Sequence, residues 1–372
     1  MRYHKSPSDR ARDQCLFLSD LESAQTHLRM KKLSKALIHS SAALTIKPKQ
    51  IKAYEFIDKA PVAGDVVYGE IERLGQHSSL ENVSGRIHKT HNGSKGLFVF
   101  GNRYAPDYFE GFVPDSIGRH VDLLARSGVV GTMKTKNALI KDPTRVKVLG
   151  YVLDAVGEVI NTRNYSLVKP RSVVKKPRRA KLVLVVGTAM NSGKSMAAAA
   201  CCWALSSMGH TVRASKITGT ASLQDILHMN DAGAETYLDF TYLGHPSTYM
   251  LSEGELLEIF NKIDLKYCNN PSNYWVVEIS DGIGQRETTL LLNSDVVKSR
   301  IDSLIFAAGD AFGAIGGLKV LQERFGLEPD AISGVCSSSP LHIRELEDHT
   351  SIPVFNSAAP DLKLLADILL KK

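Results

Sequence analysis

The sequence lacks the patterns that identify membrane and secreted proteins. No stretch approaches the roughly 18–20 uninterrupted apolar residues that span a bilayer. Residues 1–12 are polar and charged and contain no apolar core of a signal peptide. We therefore expect a cytoplasmic protein that has no membrane partner.

Disulfide and zinc patterns are absent too. The five cysteines form no CxxC pair and show no zinc spacing, and the twelve histidines form no HExxH or HxH pair. Cys201 and Cys202 lie in an apolar helical run, where free cysteines act as small buried residues. His77, His88 and His91 are close in sequence, but turn and surface positions are expected for them rather than a metal site. The other cysteines are Cys15, Cys268 and Cys336.

Positive charge is concentrated in the first half of the chain. The 372 residues are enough for two domains of about 150 residues each. The net charge of +7 combines +15 over residues 1–182 with −8 over residues 183–372. A basic half indicates an anionic partner such as nucleic acid, an acidic protein or a phosphorylated ligand. Docking of the basic half against the acidic half of the same chain explains the asymmetry equally well.

Residues 1–50 are expected to form an N-terminal segment that is partly disordered and partly helical. Residues 1–14 are polar and are predicted to be disordered. The apolar residues from Leu16 to about Leu44 follow helical spacing. Pro48 ends this pattern because proline cannot continue a helix.

Residues 51–165 are predicted to form a small β-rich, barrel-like domain. Their short alternating runs are broken by Gly, Asn and Pro, as in strands that are joined by turns. Asn92-Gly93 is a signal for a hairpin turn. Small barrels bind nucleic acid, peptides or nothing at all, and the sequence leaves this choice open. The other predicted elements are a short helix over 117–127 and strands over 146–153 and 156–160.

Residues 166–181 are basic and interrupted by proline, so they are predicted to be a linker, with phosphate contact as the alternative. Over residues 182–372, strand and helix patterns alternate and the strands are almost continuously apolar. This is typical of a mostly parallel sheet covered by helices on both faces, and it predicts an α/β fold class. Predicted strands cover residues 182–187, 211–215, 274–280, 303–309, 331–337 and 352–356. Predicted helices begin at Gly193 and near Leu223, and a third covers Ile315–Phe325.

The strongest motif joins an apolar strand to a helix through a loop that ends in Gly193-Lys194-Ser195. Gly187 and Gly193 allow tight turns, and the N–H groups at the helix N-terminus suit an anion. Lys194 is expected to contact the β- and γ-phosphates, and Ser195 to offer its hydroxyl to Mg²⁺. Five residues separate the two glycines, against four in the common GxxxxGK[ST] pattern. The motif predicts a P-loop that binds Mg-ATP.

The loop GTAMNSGKS resembles the GTDTxVGKT loop of dethiobiotin synthetase and its relatives. Further similar segments occur in the family's order over about residues 182–357. These segments are Ser215–Gly219, Asn230–Ala232, Val276–Glu278, Gly313–Ile315 and Ser333–Ser337. The resemblance implies a P-loop domain that binds ATP. The residues implied in binding it are Gly187, Asn191, Ser192, Gly193, Lys194, Ser195 and Ser337.

The resemblance also implies a Mg²⁺ site formed by Ser195, Asp231 and Glu278. The position of Glu278 supports this, since it ends an apolar strand, and open α/β sheets bind ligands at that end. Mg²⁺ uses few carboxylates when phosphate oxygens complete its shell. Asp225 and Asp281 are alternatives that the sequence leaves open.

Four residues are implied in catalysis by the same resemblance. Lys194 and Lys216 would stabilise charge on the γ-phosphate, and Lys216 would lie over that phosphate or over the acceptor. Thr188 and Thr218 would face the acceptor. A surface position at the end of its strand is the structural alternative for Lys216.

Departures from the family pattern argue against the family's own biotin-pathway substrate. Ile279 is bulky where the family has small residues near its substrate, and Ser337 stands where the family has an asparagine that contacts adenine. The preference for ATP or GTP therefore stays open. The family has no basic N-terminal barrel either. A homodimer is implied by the resemblance alone.

Two classes of function follow. A metabolic enzyme would use ATP to phosphorylate a carboxylate or carbamate of a small molecule, and the segment Lys216–Gly219 favours it. An ATP-driven switch would let the nucleotide control the binding of nucleic acid or a partner protein by the basic half, and the charge asymmetry favours it. A scaffold that binds nucleotide without turnover is a third class. The polar and aromatic loop Gly101–Pro106 is interpreted as a plain turn or a ligand contact. We favour the enzyme.

Overall fold

The structure is a computed structural model that describes residues 31–34, 36–169, 179–267 and 269–370. Some expectations lie outside these ranges. They are the disorder of residues 1–14, the helical pattern from Leu16 to residue 30, residues 170–178 of the linker, and the positions of Cys15 and Cys268. Cys201, Cys202 and Cys336 are buried free thiols. Within the described residues, no helix is both long enough and apolar enough to cross a membrane.

The N-terminal part consists mainly of short strands. Nine of them form one sheet, and the other two pair with each other. The strands are β1 (Ile38–His39), β2 (Ala53–Glu55), β3 (Val66–Arg73), β4 (Ser79–Glu81), β5 (Ile87–Lys89), β6 (Lys95–Phe100), β7 (Arg103–Tyr104), β8 (Phe109–Phe112), β9 (His120–Leu123), β10 (Val129–Lys136) and β11 (Thr144–Leu153).

Five of these strands pair in a closed circuit. β6 pairs with β3, β3 with β11, β11 with β9, β9 with β10, and β10 pairs back with β6. Successive side chains point to opposite faces of a strand. Phe98 and Phe100 of β6 accordingly belong to one apolar cluster, and Leu97 and Val99 to another. The sheet thus has an apolar core on each of its faces.

Two helices predicted in this part are wrong where the structure describes their residues. Within the described residues, the segment that leads to Leu44 pairs Ile38–His39 with β6 as a strand, and only a 3-10 turn over Ser41–Ala43 follows. Residues 117–127 contain β9 in place of a helix, because β9 hydrogen-bonds to both β10 and β11. Pairing with strands distant in sequence outweighs local helical spacing in both segments.

Two details of the predicted strands are also corrected. Residues 156–160 form no strand of their own, and only Val159 makes an isolated bridge, to Leu153. Asn92-Gly93 forms a turn in which Gly93 has a φ of +88°. The turn does not join a hairpin, because β5 pairs with β4 and β6 pairs with β3. Strand pairing in this part is thus largely non-local.

The C-terminal part confirms the α/β fold class. Its six strands are all parallel, in the order β14-β13-β15-β12-β16-β17. The strands are β12 (Lys181–Gly187), β13 (Thr211–Lys216), β14 (Thr236–Asp239), β15 (Asn273–Glu278), β16 (Ile301–Ala307) and β17 (Ala331–Ser333). The helices are α1 (Lys194–Ser207), α2 (Leu223–Asp231), α3 (Glu253–Tyr267), α4 (Arg286–Asn293), α5 (Asp295–Lys298), α6 (Ala311–Val320), α7 (Pro340–Glu347) and α8 (Leu362–Leu369).

Helices cover both faces of this sheet. Leu184 and Val186 of β12 belong to an apolar cluster on one face, whereas Val183 and Val185 belong to the cluster that includes the buried alanines of α1. A strand that is buried on both faces has to be apolar at every position, which explains the continuous apolar run of β12. The core therefore holds the strand before the Gly-Lys-Ser loop in the middle of the sheet.

Three predicted elements of this part have different bounds. The helix expected over Ile315–Phe325 begins earlier, as α6, and ends in a π-helical turn over Leu321–Phe325. The strand expected over 331–337 ends at Ser333, as β17, and a 3-10 turn begins at Val335. The strand expected over 352–356 is reduced to a bridge between Val354 and Ile332.

The strand-rich part packs against the parallel-sheet part. Ala221 lies in an apolar cluster of the strand-rich part that includes Val66 and Tyr68. Oε2 of Glu81 accepts the backbone N–H of Leu223 at 3.0 Å, at the start of α2. The strand-rich part therefore lies beside the loop that follows β13, at the carboxyl end of the parallel sheet.

Candidate functional site

β12, the following loop and α1 form the strand–loop–helix arrangement of a P-loop. The loop covers residues 188–193, and its first N–H, from Thr188, donates to the carbonyl of Ala307 at 2.9 Å. Gly193 has a φ of +92°. A Cβ at this position would lie only 2.7 Å from Cα of Gly334, so a side chain does not fit. The loop is thus held between β16 and the segment after β17.

Lys194 is the first residue of α1, directly after this loop, and 5% of its surface is exposed. Its Nζ donates to the carbonyl oxygen of Ala189 at 2.6 Å. Burial lowers the pKa of Lys194, whereas the charges of Glu278 and Asp281 act to raise it. An ammonium group held at the start of a helix, beside backbone N–H groups, suits the binding of an anion.

The other polar loop residues have different surroundings. Asn191 is exposed, has a φ of +61°, and donates from Nδ2 to Oδ2 of Asp107 at 2.5 Å. Ser192 is buried, and its Oγ has no hydrogen-bond partner among the residues described. A Cβ at Gly187 would lie 2.5 Å from that Oγ. Ser192 therefore holds an unused donor, whereas Asn191 links the loop to the strand-rich part.

Ser195, Lys216, Asp225 and Glu278 come together at the carboxyl end of the sheet. Oγ of Ser195 donates to Oδ1 of Asp225 at 3.3 Å. Nζ of Lys216 pairs with Oδ2 of Asp225 and lies 3.5 Å from Oε1 of Glu278. Lys216 and Glu278 end the neighbouring strands β13 and β15, and Asp225 lies in the first turn of α2. Three of the four residues are among those for which the sequence predicted a shared site.

Electrostatic coupling keeps Lys216 and Asp225 charged. Burial acts to lower the pKa of Lys216, but the carboxylates of Asp225 and Glu278 outweigh it and raise that pKa. Burial acts to raise the pKa of Asp225, but Lys216 and the hydroxyl of Ser195 outweigh it and lower that pKa. Burial raises the pKa of Asp281, although nearby basic groups oppose the shift. Lys216 and Asp225 therefore form an ion pair at neutral pH.

Asp225, rather than Asp231, is the acid that contacts Ser195. Asp231 is the last residue of α2, and its side chain is exposed. It follows Asp225 on the same helix by about 9 Å of axial rise. The structure thus does not bring Asp231 to the predicted Mg²⁺ site, and the acid at this place is corrected to Asp225.

Thr218 is buried and holds a neighbouring loop. Its hydroxyl donates to the carbonyl of Ser280 and accepts the N–H of Ser280 at 2.8 Å. The predicted position facing an acceptor is therefore corrected, because this hydroxyl is occupied in positioning the Ser280-Asp281 segment. Thr188 is half-buried. Its carbonyl oxygen lies close to Gly282, since a Cβ added at Gly282 would be only 2.3 Å from that oxygen.

Ser337 lies in a short 3-10 segment, Val335–Ser338, that contacts the loop. The N–H of Val335 donates to the carbonyl of Ser192 at 3.1 Å. Oγ of Ser337 donates to the carbonyl of Gly334 at 2.7 Å and is buried. The segment therefore borders the loop, and the hydroxyl of Ser337 is occupied within its own turn.

The oxygen donors of the cluster suit a hard cation such as Mg²⁺. The hydroxyl of Ser195 and the carboxylate of Asp225 are adjacent, and Oε2 of Glu278 is buried with no hydrogen-bond partner in the described part of the chain. Among the described residues, no group of three or more His, Cys, Asp or Glu side chains forms a metal site. The protein would therefore supply only part of a Mg²⁺ shell, which fits an ion that is shared with phosphate oxygens.

A cavity of about 420 Å³ separates this cluster from the strand-rich part. Lys216, Asp225 and Asp281 contribute to one wall, with the loop residues Met190 and Asn191. The opposite wall comes from the strand-rich part and includes His77, Arg103, Tyr104, Tyr108 and Arg126.

The wall on the strand-rich side is the feature that sequence analysis located least well. Arg103 and Tyr104 belong to the loop for which a plain turn and a ligand contact were both considered. His77 lies in the loop before β4 and is half-buried. Burial lowers the pKa of His77 to about 3, so its ring is neutral at neutral pH. Its Nε2 lies 2.9 Å from Nη1 of Arg103 and 3.1 Å from the carbonyl oxygen of Leu124.

Comparisons with known proteins give limited similarity. No protein-family model matches the chain, and no curated protein matches it. The signal recognition particle receptor FtsY from Elizabethkingia anophelis, solved with GDP, is 10% identical with a TM-score of 0.35, over 57% of this chain and 70% of that chain. A ParA family ATPase from Chlorobium tepidum is 16% identical with a TM-score of 0.32, over 51% and 88% of the two chains. Both similarities are weak, so the function of this site has to be inferred from its own residues.

Proposed function

We propose that this protein is a Mg²⁺-dependent enzyme that binds a nucleoside triphosphate, expected to be ATP, and transfers its γ-phosphoryl group to a small molecule. The observation that carries the proposal is the convergence of two groups of residues at one end of the sheet. The first is the loop with Lys194, and the second is the cluster of Ser195, Lys216, Asp225 and Glu278.

Each residue has a distinct role in this proposal. The N–H groups of the loop after Thr188 and the ammonium of Lys194 bind the phosphate oxygens. Ser195, Asp225 and Glu278 would hold Mg²⁺, which would neutralise negative charge on those oxygens. Lys216 is held in place by two carboxylates and remains protonated, so it stabilises charge that develops between nucleotide and acceptor.

The acceptor is a small molecule with a carboxylate or carbamate, in keeping with the family resemblance. An oxygen of this group would form the new bond to phosphorus, and the nucleoside diphosphate would leave. The cavity of about 420 Å³ supports a small-molecule acceptor, because it lies next to Lys216 and is bordered by the strand-rich part. Its volume is within the usual range of pockets for small ligands.

A second candidate is a nucleotide-controlled switch that acts on nucleic acid or a partner protein. The contact of Asn191 with Asp107 favours it, because a nucleotide that rearranged the loop would disturb the strand-rich part directly. The excess of positive charge over residues 1–182 favours an anionic partner of that part. The enzyme is preferred because the cavity, and not an open surface, adjoins Lys216.

The test is hydrolysis of ATP and GTP by the full chain with Mg²⁺, for the wild type and Lys194→Ala. Lys194→Ala should lose about 100-fold to 1,000-fold in turnover, as when a charge-stabilising group is removed. Lys319→Ala is the matched control, since Lys319 is an exposed lysine of α6. Equal turnover of wild type and Lys194→Ala would sink the proposal. Stimulation by DNA or RNA that Lys194→Ala abolishes would establish the switch instead.

A further inference from the structure

Arg103 is a buried cation without a matching anion. Only 7% of its surface is exposed, and it forms no ion pair within 4.0 Å among the residues described. Its contacts are the neutral ring of His77, at 2.9 Å, and the face of Tyr108, with the guanidinium 5.1 Å from the ring centre. Nε of Arg103 is buried and has no hydrogen-bond partner in the described residues.

Such an arrangement is costly unless a ligand completes it. Burial lowers the pKa of Arg103 to about 10, and Asp281 opposes this shift only from beyond ion-pair distance. The side chain therefore stays protonated at neutral pH. A buried charge that lacks a partner is unfavourable because it has lost its hydration, and proteins normally pair it. The unused Nε–H and the adjacent cavity indicate that a bound anion supplies the missing partner.

The position of Arg103 assigns this anion to the acceptor and not to the nucleotide. Arg103 belongs to β7, on the wall of the cavity that the strand-rich part forms, and His77 and Tyr108 hold it there. Lys216 and the loop residues Met190 and Asn191 line the same cavity from the parallel-sheet part. Arg126 adds a second positive charge to the cavity, and its guanidinium also donates to Oε1 of Gln224 in α2. The two walls therefore offer separate places for two acidic groups.

We propose that Arg103, assisted by Arg126, binds a carboxylate of the acceptor that does not receive the phosphoryl group. The acceptor is then a small organic acid with two acidic groups, one at Arg103 and one near Lys216. That the bound carboxylate belongs to the phosphoryl acceptor rests on the proposed function. The existence of a carboxylate site at Arg103 does not rest on it. Arginine suits this task because its planar guanidinium donates two parallel hydrogen bonds to a carboxylate.

Malonate, succinate and glutarate are suitable probes, with glutaramide as the uncharged counterpart of glutarate. Binding is measured by calorimetry on the full chain at constant ionic strength. We expect the wild type to bind at least one of the diacids and not to bind glutaramide. Arg103→Gln should weaken that binding at least about 10-fold, the loss expected for a hydrogen bond to a charged group. Arg103→Lys should bind the diacid with intermediate affinity, because it keeps the charge without the planar pair of donors.

Arg119→Gln is the matched control, since Arg119 is another arginine of the strand-rich part and packs on Phe56 outside the cavity. It should bind the diacid as the wild type does. Circular dichroism checks that each variant is folded, and Arg103→Lys keeps the test valid if Arg103→Gln does not fold. The proposal is overturned if no diacid binds the wild type, or if Arg103→Gln and Arg103→Lys both bind the diacid as tightly as the wild type.

Two further measurements separate this inference from the proposed function. Arg103→Gln should leave the affinity for ATP unchanged, and a weakened affinity for ATP with intact diacid binding would assign Arg103 to the nucleotide and overturn the inference. Lys194→Ala should lose ATP binding and keep diacid binding. Diacid binding in a protein that never binds ATP would uphold the carboxylate site and refute the proposed function.

Discussion

Nζ of Lys216 lies 3.5 Å from Oε1 of Glu278 because the two residues face each other in neighbouring parallel strands. Both residues end their strands, and the first turn of α2 adds Asp225 to the pair. A lysine paired with one buried and one half-buried carboxylate is satisfied without a ligand. The charge of Lys194 nevertheless acts on Asp225, so the cluster and the loop are electrostatically connected.

Lys216→Met should destabilise the protein by about 3–5 kcal/mol, the cost of leaving a buried charge without its partner. The reason is that buried Glu278 and half-buried Asp225 would remain as adjacent carboxylates without their shared cation. Denaturant unfolding at neutral pH measures the change, with Lys319→Met as an exposed control. Adding Asp225→Asn to Lys216→Met should recover part of the lost stability, because the effects of substitutions at contacting residues are not additive. A loss no larger than that of Lys319→Met would contradict this prediction.

Asp225→Asn should weaken the apparent affinity for Mg²⁺ in nucleotide hydrolysis by about 10-fold to 100-fold, as for loss of one charged interaction. Asp231→Asn should leave this affinity unchanged, because Asp231 is exposed at the far end of the same helix. The two substitutions are chemically identical and differ only in position along α2. Titration of turnover with Mg²⁺ compares them, and equal effects of the two would remove Asp225 from the proposed metal site.

Thr218→Val should cost about 1–3 kcal/mol in the free energy of unfolding, the range for leaving a buried polar group unpaired. Its hydroxyl is the hydrogen-bond partner of both the N–H and the carbonyl of Ser280. The carbonyl of Ser280 keeps a second hydrogen bond, from the hydroxyl of Thr288 at 2.8 Å. Most of the lost free energy should therefore come from the N–H of Ser280, which would have no partner. Thr218→Ser retains the hydroxyl and should lose much less. Equal stability of the Val and Ser variants would show that this hydroxyl does not hold the segment.

Asp239→Asn should change how stability depends on pH. Burial raises the pKa of Asp239 from 3.8 to about 6, although hydrogen bonds from Thr241 oppose the shift. The folded protein therefore binds a proton more tightly than the unfolded chain, so Asp239 makes stability fall as pH rises from about 4 to about 6. The asparagine variant lacks this decline and should gain up to about 3 kcal/mol relative to the wild type between pH 4 and pH 7.

Unfolding measured at several pH values tests this prediction. Asp295→Asn serves as the control, because Asp295 is a fully exposed acid at the start of α5. A constant difference between Asp239→Asn and wild type across this pH range would show that Asp239 titrates normally.

The parts of the site that are contiguous in sequence were predictable. The apolar strand, the loop and the helix that begins at Lys194 depend on local periodicity and on glycine at positions 187 and 193, which a single sequence shows directly. Glu278 was identified for the same reason, since it ends an apolar run. The α/β class followed from alternating strands and helices that bury both faces of a sheet.

What required the tertiary structure was the arrangement of residues that are distant in sequence. Asp225 and Asp231 belong to one helix, and only its packing decides which of the two turns toward Ser195. The partners of β1 and β9 are likewise set by long-range pairing, which overrides local helical spacing.

The wall that contains Arg103 shows the same limit most clearly. The strand, the loop and the helix around Gly193 to Ser195 follow from the sequence alone, because their signals lie within a few residues of one another. The sequence also determined that the first half of the chain is basic. That a buried arginine of this half lines one cavity together with Lys216 depends on the tertiary structure, because the two residues belong to different sheets whose packing brings them to the same place.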